Sequence, residues 1–280
     1  MSAKIVVGIE QTSAGERALA WAAQRAHQFE RELLIVSVIG GALGVVGEGE
    51  LLAESERLTD EWLTAQADAL RPTGLTVATA VLHGDPVTQL AEASAGGEML
   101  VIGSDYRGPD EGPARGIRGI RIASAAAVPV VVVPDRDVTG GTGVVVGVDG
   151  SPVSEAAIAF AAAEADRLRE PLIAVTVWTP MAAKPRNALM YSDAYLEALE
   201  HAAEETLALS IAGLRGKYPD LEILTKVLRG YPSAIINDLA AEARLAVVGS
   251  HGRGAIARFF LGSISHEVLT HLRTATAVVR

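Results

Sequence analysis

The sequence repeats itself, and that repeat limits the fold more than any single motif does. IVVGIEQTS at residues 5–13 realigns on VVVGVDGSP at 144–152, an offset of 139 positions. HGDPVTQLAEAS at 83–94 realigns on RGYPSAIINDLA at 229–240, and MLVIGSDYRG at 99–108 on LAVVGSHGRG at 245–254, both at an offset of 146. The seven-residue difference falls between these blocks, in a segment read as loop. The copies join near PDRDVTGGTG at 134–143, where strand-forming residues give way to Pro, Asp and Gly. The expected domains are therefore residues 1–138 and 143–280, in keeping with a chain of 280 residues at about 150 per domain.

Each copy alternates short Val/Ile-rich runs with longer segments of helical spacing. The runs lie near 5–9, 33–38, 75–81, 99–102 and 129–133, and again near 144–148, 172–177, 221–228, 245–248 and 275–279. This is the pattern of βαβ units around a parallel sheet covered on both faces. The fold class expected is α/β, two tandem doubly wound five-stranded parallel-sheet domains. Ala18, Trp21, Ala22, Ala26 and Phe29 form one apolar helical face, and Ala157, Phe160, Ala161, Ala165 and Leu168 repeat it. Ser13 with Glu16 reads as a capping box, and Ser151 followed by Pro152 as a cap and a first-turn proline.

The formal charge of −10, with acidic residues scattered, leaves no broad basic footprint for nucleic acid. The absence of cysteine excludes disulfides and thiolate metal sites. MSAKIVVGIE enters a strand-like run at once, and no apolar stretch reaches the roughly 18 residues of a membrane span. A soluble, cytoplasmic protein is expected.

The stretch VVGSHGRGAIARFFLGS at 247–263 carries the ligand chemistry. Glycines at the carboxyl end of a parallel strand let backbone N–H groups approach phosphate oxygens, and a helix starting near Gly262 and Ser263 aims more of them at an anion. No G-x-x-x-x-G-K-[ST] is present, and the glycines of GTGVVVG precede a strand rather than joining strand to helix, so neither common nucleotide fingerprint applies. The pattern present is Gly249-x2-Gly252-x9-Gly262-Ser263. With the repeat and the strand ending in Asp149, it resembles the universal stress protein family in its tandem form.

That resemblance spans the chain and implies strand order 3-2-1-4-5, adenine nucleotide between strands one and four, and domains paired through their fifth strands. Carried onto this sequence, Asp149 would bond the adenosine portion, Val177 would contact adenine, and Gly147 would permit close approach. Gly249 would lie near the ribose, and Gly252, Arg253, Gly254, Gly262, Ser263, Ile264 and Ser265 would surround the phosphates. The implied ligand is ATP, with Mg2+ as an optional companion.

The first copy departs from this pattern. Gly103 and Gly116 remain, but Tyr106 stands at the middle glycine, Ile117 at the hydroxyl, and Glu10 at the place of Asp149. Asp105, Asp110 and Glu111 oppose an anion there, while Arg107, Arg115, Arg118 and Arg121 favour one. Weak or no ATP binding is expected in this copy.

Signs of catalysis are few. The histidines of HEVLTH, His266 and His271, are five apart rather than the four of a zinc helix. His251 has no partner spaced to orient it as a base, and Ser263 lies in no nucleophile elbow. Lys184 and Arg186 read as solvent loop. The sequence therefore points to an ATP-binding regulatory or stress-response protein, held together by intramolecular domain pairing, with a homodimer open as a further assembly. A slow ATPase and a nucleotide-independent interaction module are the competing readings.

Overall fold

The computed structural model describes residues 4–40, 48–104, 117–138, 140–180, 191–252 and 261–280. The chain divides into two compact units, with the division between Asp137 and Val138.

In the first unit, β1 (Lys4–Gly8), α1 (Ser13–Gln28), β2 (Glu32–Ile39), α2 (Glu48–Leu70) and β3 (Val77–His83) are followed by α3 (Pro86–Ser94), β4 (Met99–Ser104), α4 (Ile117–Ala125) and β5 (Val130–Pro134). Every pairing is parallel, in the order β3-β2-β1-β4-β5, with Val6 opposite Leu34 on one side and Leu100 on the other. The second unit runs β6 (Val144–Gly147), α5 (Pro152–Leu168), β7 (Leu172–Trp178), α6 (Asp193–Ile211) and a short α7 (Leu214–Lys217). It continues with β8 (Ile223–Arg229), α8 (Pro232–Ala240), β9 (Leu245–Gly249), α9 (Ser263–Thr270) and β10 (Ala275–Val279). Its order is β8-β7-β6-β9-β10, again all parallel. Both units thus have the doubly wound order 3-2-1-4-5.

The side chains explain these elements. Central strands are buried on both faces, so Ile5, Val6 and Val7 in β1 and Val144, Val145 and Val146 in β6 are almost wholly inaccessible. Ala18, Ala22 and Ala26 in α1, like Ala157, Ala161 and Ala165 in α5, are fully buried where the helix lies on the sheet. The larger Trp21 and Phe29 sit at the margin, where the Arg25 guanidinium lies 5.4 Å and 4.6 Å from their ring centroids. The seven-residue offset falls mostly before the second helix of each unit: eight positions, 40–47, separate β2 from α2, against fourteen, 179–192, between β7 and α6.

The caps correct one expectation. Thr12, not Ser13, caps α1, accepting from the Gly15 N–H at 3.1 Å. Ser13 instead donates to Asp135 Oδ2 at 2.7 Å, a partner 122 positions away that no local pattern reveals. Ser151 caps α5 as expected, accepting from the Ser154 N–H at 3.1 Å with Pro152 in the first turn.

The two copies differ at the cap of the helix that follows their third strand, α3 after β3 and α8 after β8. Asp85 accepts from the Thr88 N–H at 3.0 Å, and the Thr88 N–H and hydroxyl hold its carboxyl below the usual carboxylate range. That contribution is present above the unfolded pKa and fades as pH falls through the lowered folded value. Its counterpart Tyr231 is exposed and makes no side-chain cap bond to α8. Tyr231→Asp is therefore expected to stabilise the second unit by about 1 kcal/mol, read by urea unfolding followed at Trp178.

Candidate functional site

Strands β6 and β9 are neighbours, with Val146 opposite Val247, and β6 also pairs with β7. The strand order reverses here, which opens a crevice beyond their carboxyl ends. A cleft of about 470 Å³ occupies it. That size suits a small organic ligand.

One wall is built around Asp149. The turn after β6 passes through Gly150 at φ 73°, the left-handed region that glycine enters without strain. The Asp149 N–H donates to Ser154 Oγ at 3.2 Å, and Asp149 Oδ1 accepts from the Ser151 N–H at 2.9 Å. The carboxylate is thus aimed by its own turn. Its second oxygen, Oδ2, lies 2.8 Å from where a Cβ on Gly252 would stand. Asp149 and Gly252 therefore face one another.

Gly262 forms the opposite wall. Its N–H donates to Ser250 O at 2.7 Å, and its extended backbone (φ −60°, ψ 153°) starts α9 with no side-chain cap. The first N–H groups of α9, from Ser263, Ile264 and Ser265, are left for another acceptor, at the positive end of the helix dipole. Ser263 is exposed at the mouth. Ser265 is buried, and its hydroxyl donates to Gly249 O, so only its backbone faces the cleft. His251 also lines the cleft: Nδ1 lies 3.0 Å from Ser250 Oγ, and Nε2 is buried without a hydrogen-bond partner.

The third wall is apolar. Val177 lines it, and Val175 joins it because residues two apart on a strand share a face. Val148, Val248, Pro232 and Ile236 complete it, none of them marked by the glycine pattern. The signal for Ile236 is Gly147 itself. A Cβ at Gly147 would come 2.9 Å from Ile236 Cδ1, and one at Gly8 would come 2.8 Å from Leu90 Cδ2. The glycine at this position, Gly8 in the first copy and Gly147 in the second, therefore serves helix packing in both. Gly249 has a similar second duty, since its Cβ would meet Val153 Cγ1 at 3.0 Å.

Gly147, Asp149, Val177, Gly249, Gly252, Gly262, Ser263, Ile264 and Ser265 all line this one cleft. Arg253 and Gly254 lie outside the described residues, as do Lys184 and Arg186.

The first unit has a cleft of about 660 Å³ at the equivalent place. Glu10 turns outward there, and Arg118 Nη1 donates to its Oε1 at 2.5 Å, both side chains being more than half exposed. Asp135 lines the same cleft, held by Ser13 and by Arg17 at 3.1 Å. Asp105, Tyr106, Arg107, Asp110, Glu111, Arg115 and Gly116, with the Ile117 side chain, lie outside the described residues. Among the described residues no helix is long and apolar enough to cross a membrane.

The sequence pattern of the universal stress protein family matches residues 1–134 and again 142–280. Universal stress protein Rv2005c of Mycobacterium tuberculosis is 32% identical over 298 residues, covering 99% of this chain and 96% of its own. Universal stress protein Rv1996 of the same organism is 30% identical over 299 residues, covering 99% and 94%. A universal stress protein from Archaeoglobus fulgidus, 18% identical, shares the fold with a TM-score of 0.72 over 99% of this chain and 98% of its own. The chain belongs to the universal stress protein family, with two of the family's domains in tandem.

Proposed function

We propose that the second domain, residues 143–280, holds an adenine nucleotide, ATP in the first place, and that occupancy of this cleft governs a regulatory role in the stress response of the cytoplasm. The observation that supports this reading is the convergence of the marked residues on one cleft with three chemically distinct walls. Val175, Val177 and Ile236 offer an apolar slot for a flat base. Asp149 Oδ2 offers a carboxylate acceptor for ribose hydroxyls. Gly252 and the uncapped start of α9 offer backbone N–H groups to phosphate oxygens. In this reading Mg2+ enters with the phosphates rather than through a protein ligand set. Arg253 adds a charge-assisted contact, and the first domain, 1–138, takes ATP weakly or not at all.

Isothermal titration of ATP into the wild-type chain and Asp149→Ala tests this. Loss of a charged acceptor is expected to weaken binding about tenfold to a hundredfold, with little change in melting temperature. A chain that takes no adenine nucleotide at millimolar concentration, or an Asp149→Ala chain that binds like the wild type, would overturn the reading. Mass spectrometry of ligand released from the purified, denatured protein identifies which phosphorylation state the cleft retains.

A further inference from the structure

The two clefts share one wall and differ in the others. Val36 and Val38 stand in the first where Val175 and Val177 stand in the second. Pro86 and Leu90 likewise stand where Pro232 and Ile236 stand, and Gly8 admits Leu90 as Gly147 admits Ile236. The apolar slot is therefore repeated position by position, in a cavity that is larger, not smaller.

Among the described residues the polar walls are not repeated. In the second unit Ser154 accepts the Asp149 N–H and the carboxylate turns inward over Gly252. The first unit has Gly15 at that position, where a Cβ would stand 2.2 Å from Glu10 O, so no side chain can hold the turn in the same way. Glu10 instead points outward to Arg118, which stands on α4 at the position of Ile264. Arg118 has its charge answered by Glu10 and Asp135 has its charge answered by Arg17, while Arg121, the other cation of the lining, is exposed. A phosphate drawn to Arg118 must first separate the Glu10–Arg118 pair and then lie against the carboxylate released. A neutral ring entering the apolar slot meets neither cost.

We propose that the first cleft is a site for an uncharged purine-type heterocycle, as the free base or its nucleoside, and that the Glu10–Arg118 pair discriminates against phosphorylated forms. This rests on the reading of the second cleft only for the identity of the base. One chain then carries two clefts of like shape and opposite preference for charge.

The test uses the full chain with the second slot filled by Val177→Arg, titrated with adenine, adenosine, AMP and ATP. Adenosine or adenine is expected to bind at one site per chain, and ATP not to bind. Adding Val38→Arg is expected to weaken that binding at least about tenfold. Glu10→Gln, which frees Arg118, is expected to raise AMP affinity about tenfold and leave adenosine unchanged. A Val177→Arg chain that binds neither neutral ligand, or that takes ATP as readily as adenosine, overturns the proposal. So does an unchanged preference in Glu10→Gln.

If Val177→Arg fails to fold, 8-azidoadenosine is photolysed with the wild-type chain under excess ATP. Label is expected on peptides bearing Val38 or Pro86, and its absence there overturns the proposal equally. ATP binding to the chain carrying Val38→Arg alone reports on the second cleft separately, so failure of that reading and failure of this one are told apart.

Discussion

Gly252→Tyr is expected to weaken ATP binding at least about a hundredfold while leaving the fold almost as stable as before. The two halves of that result have separate causes. Gly252 is exposed, and the nearest atom a Cβ would meet is Asp149 Oδ2 at 2.8 Å, the free end of a side chain that can rotate away. The backbone therefore tolerates the larger residue at a cost of roughly 0.5 kcal/mol or less. The ligand has no such freedom. A phenol ring over that α-carbon displaces both Asp149 and the phosphate that would approach the Gly252 N–H. Tyrosine is the sharpest choice because Tyr106 stands at the matching position of the first copy. Calorimetric titration with a parallel melting curve reads both halves, and retention of ATP binding would remove Gly252 from the phosphate wall.

Gly103→Ala is expected to have the opposite profile, costing the first domain about 3 kcal/mol or more. An added Cβ would stand 2.3 Å from Ala14 O and 2.6 Å from Ala14 C, both backbone atoms in the first turn of α1. Neither can move unless α1 lifts from β4. The equivalent Gly249→Ala meets the Val153 Cγ1 methyl at 3.0 Å, with the backbone atoms His251 O and Val153 C no nearer than 3.3 Å and 3.5 Å, so its cost is expected near 1 kcal/mol. Fluorescence separates the domains, since Trp21 and Trp62 report on the first and Trp178 on the second. Urea midpoints that shift equally for the two variants would show that the α1–β4 contact is looser than these distances require.

The repeat made the strands legible to within a residue or two, because a buried parallel strand writes itself as a short Val/Ile run. Strand order did not follow from those runs. It entered with the family resemblance, and the pairings then showed it in each unit. The glycine wall of the second cleft was legible for a local reason: its glycines lie within one stretch at fixed spacing. The apolar wall was not, because Val175, Pro232 and Ile236 come from separate elements and look like ordinary core residues. Only a glycine at the end of a strand, Gly147, hinted that a helix side chain comes close there. Ser265 shows a different limit. The family resemblance implies a place for it beside the phosphates, yet its hydroxyl is drawn to Gly249 O, a direction set by a strand end sixteen positions away. The cap of α1 failed similarly, since adjacent hydroxyls at Thr12 and Ser13 compete and a distant carboxylate, Asp135, decides between them.

The Gly262 N–H to Ser250 O bond, with the Ser265 hydroxyl on Gly249 O, fastens the chain's departure from β9 to its return into α9. Those two ties belong to the scaffold whatever sequence is strung between them. The start of α9 is thereby held against the end of β9 by a backbone bond and a buried hydroxyl, with no side-chain cap taking up the N–H groups it presents to the cleft.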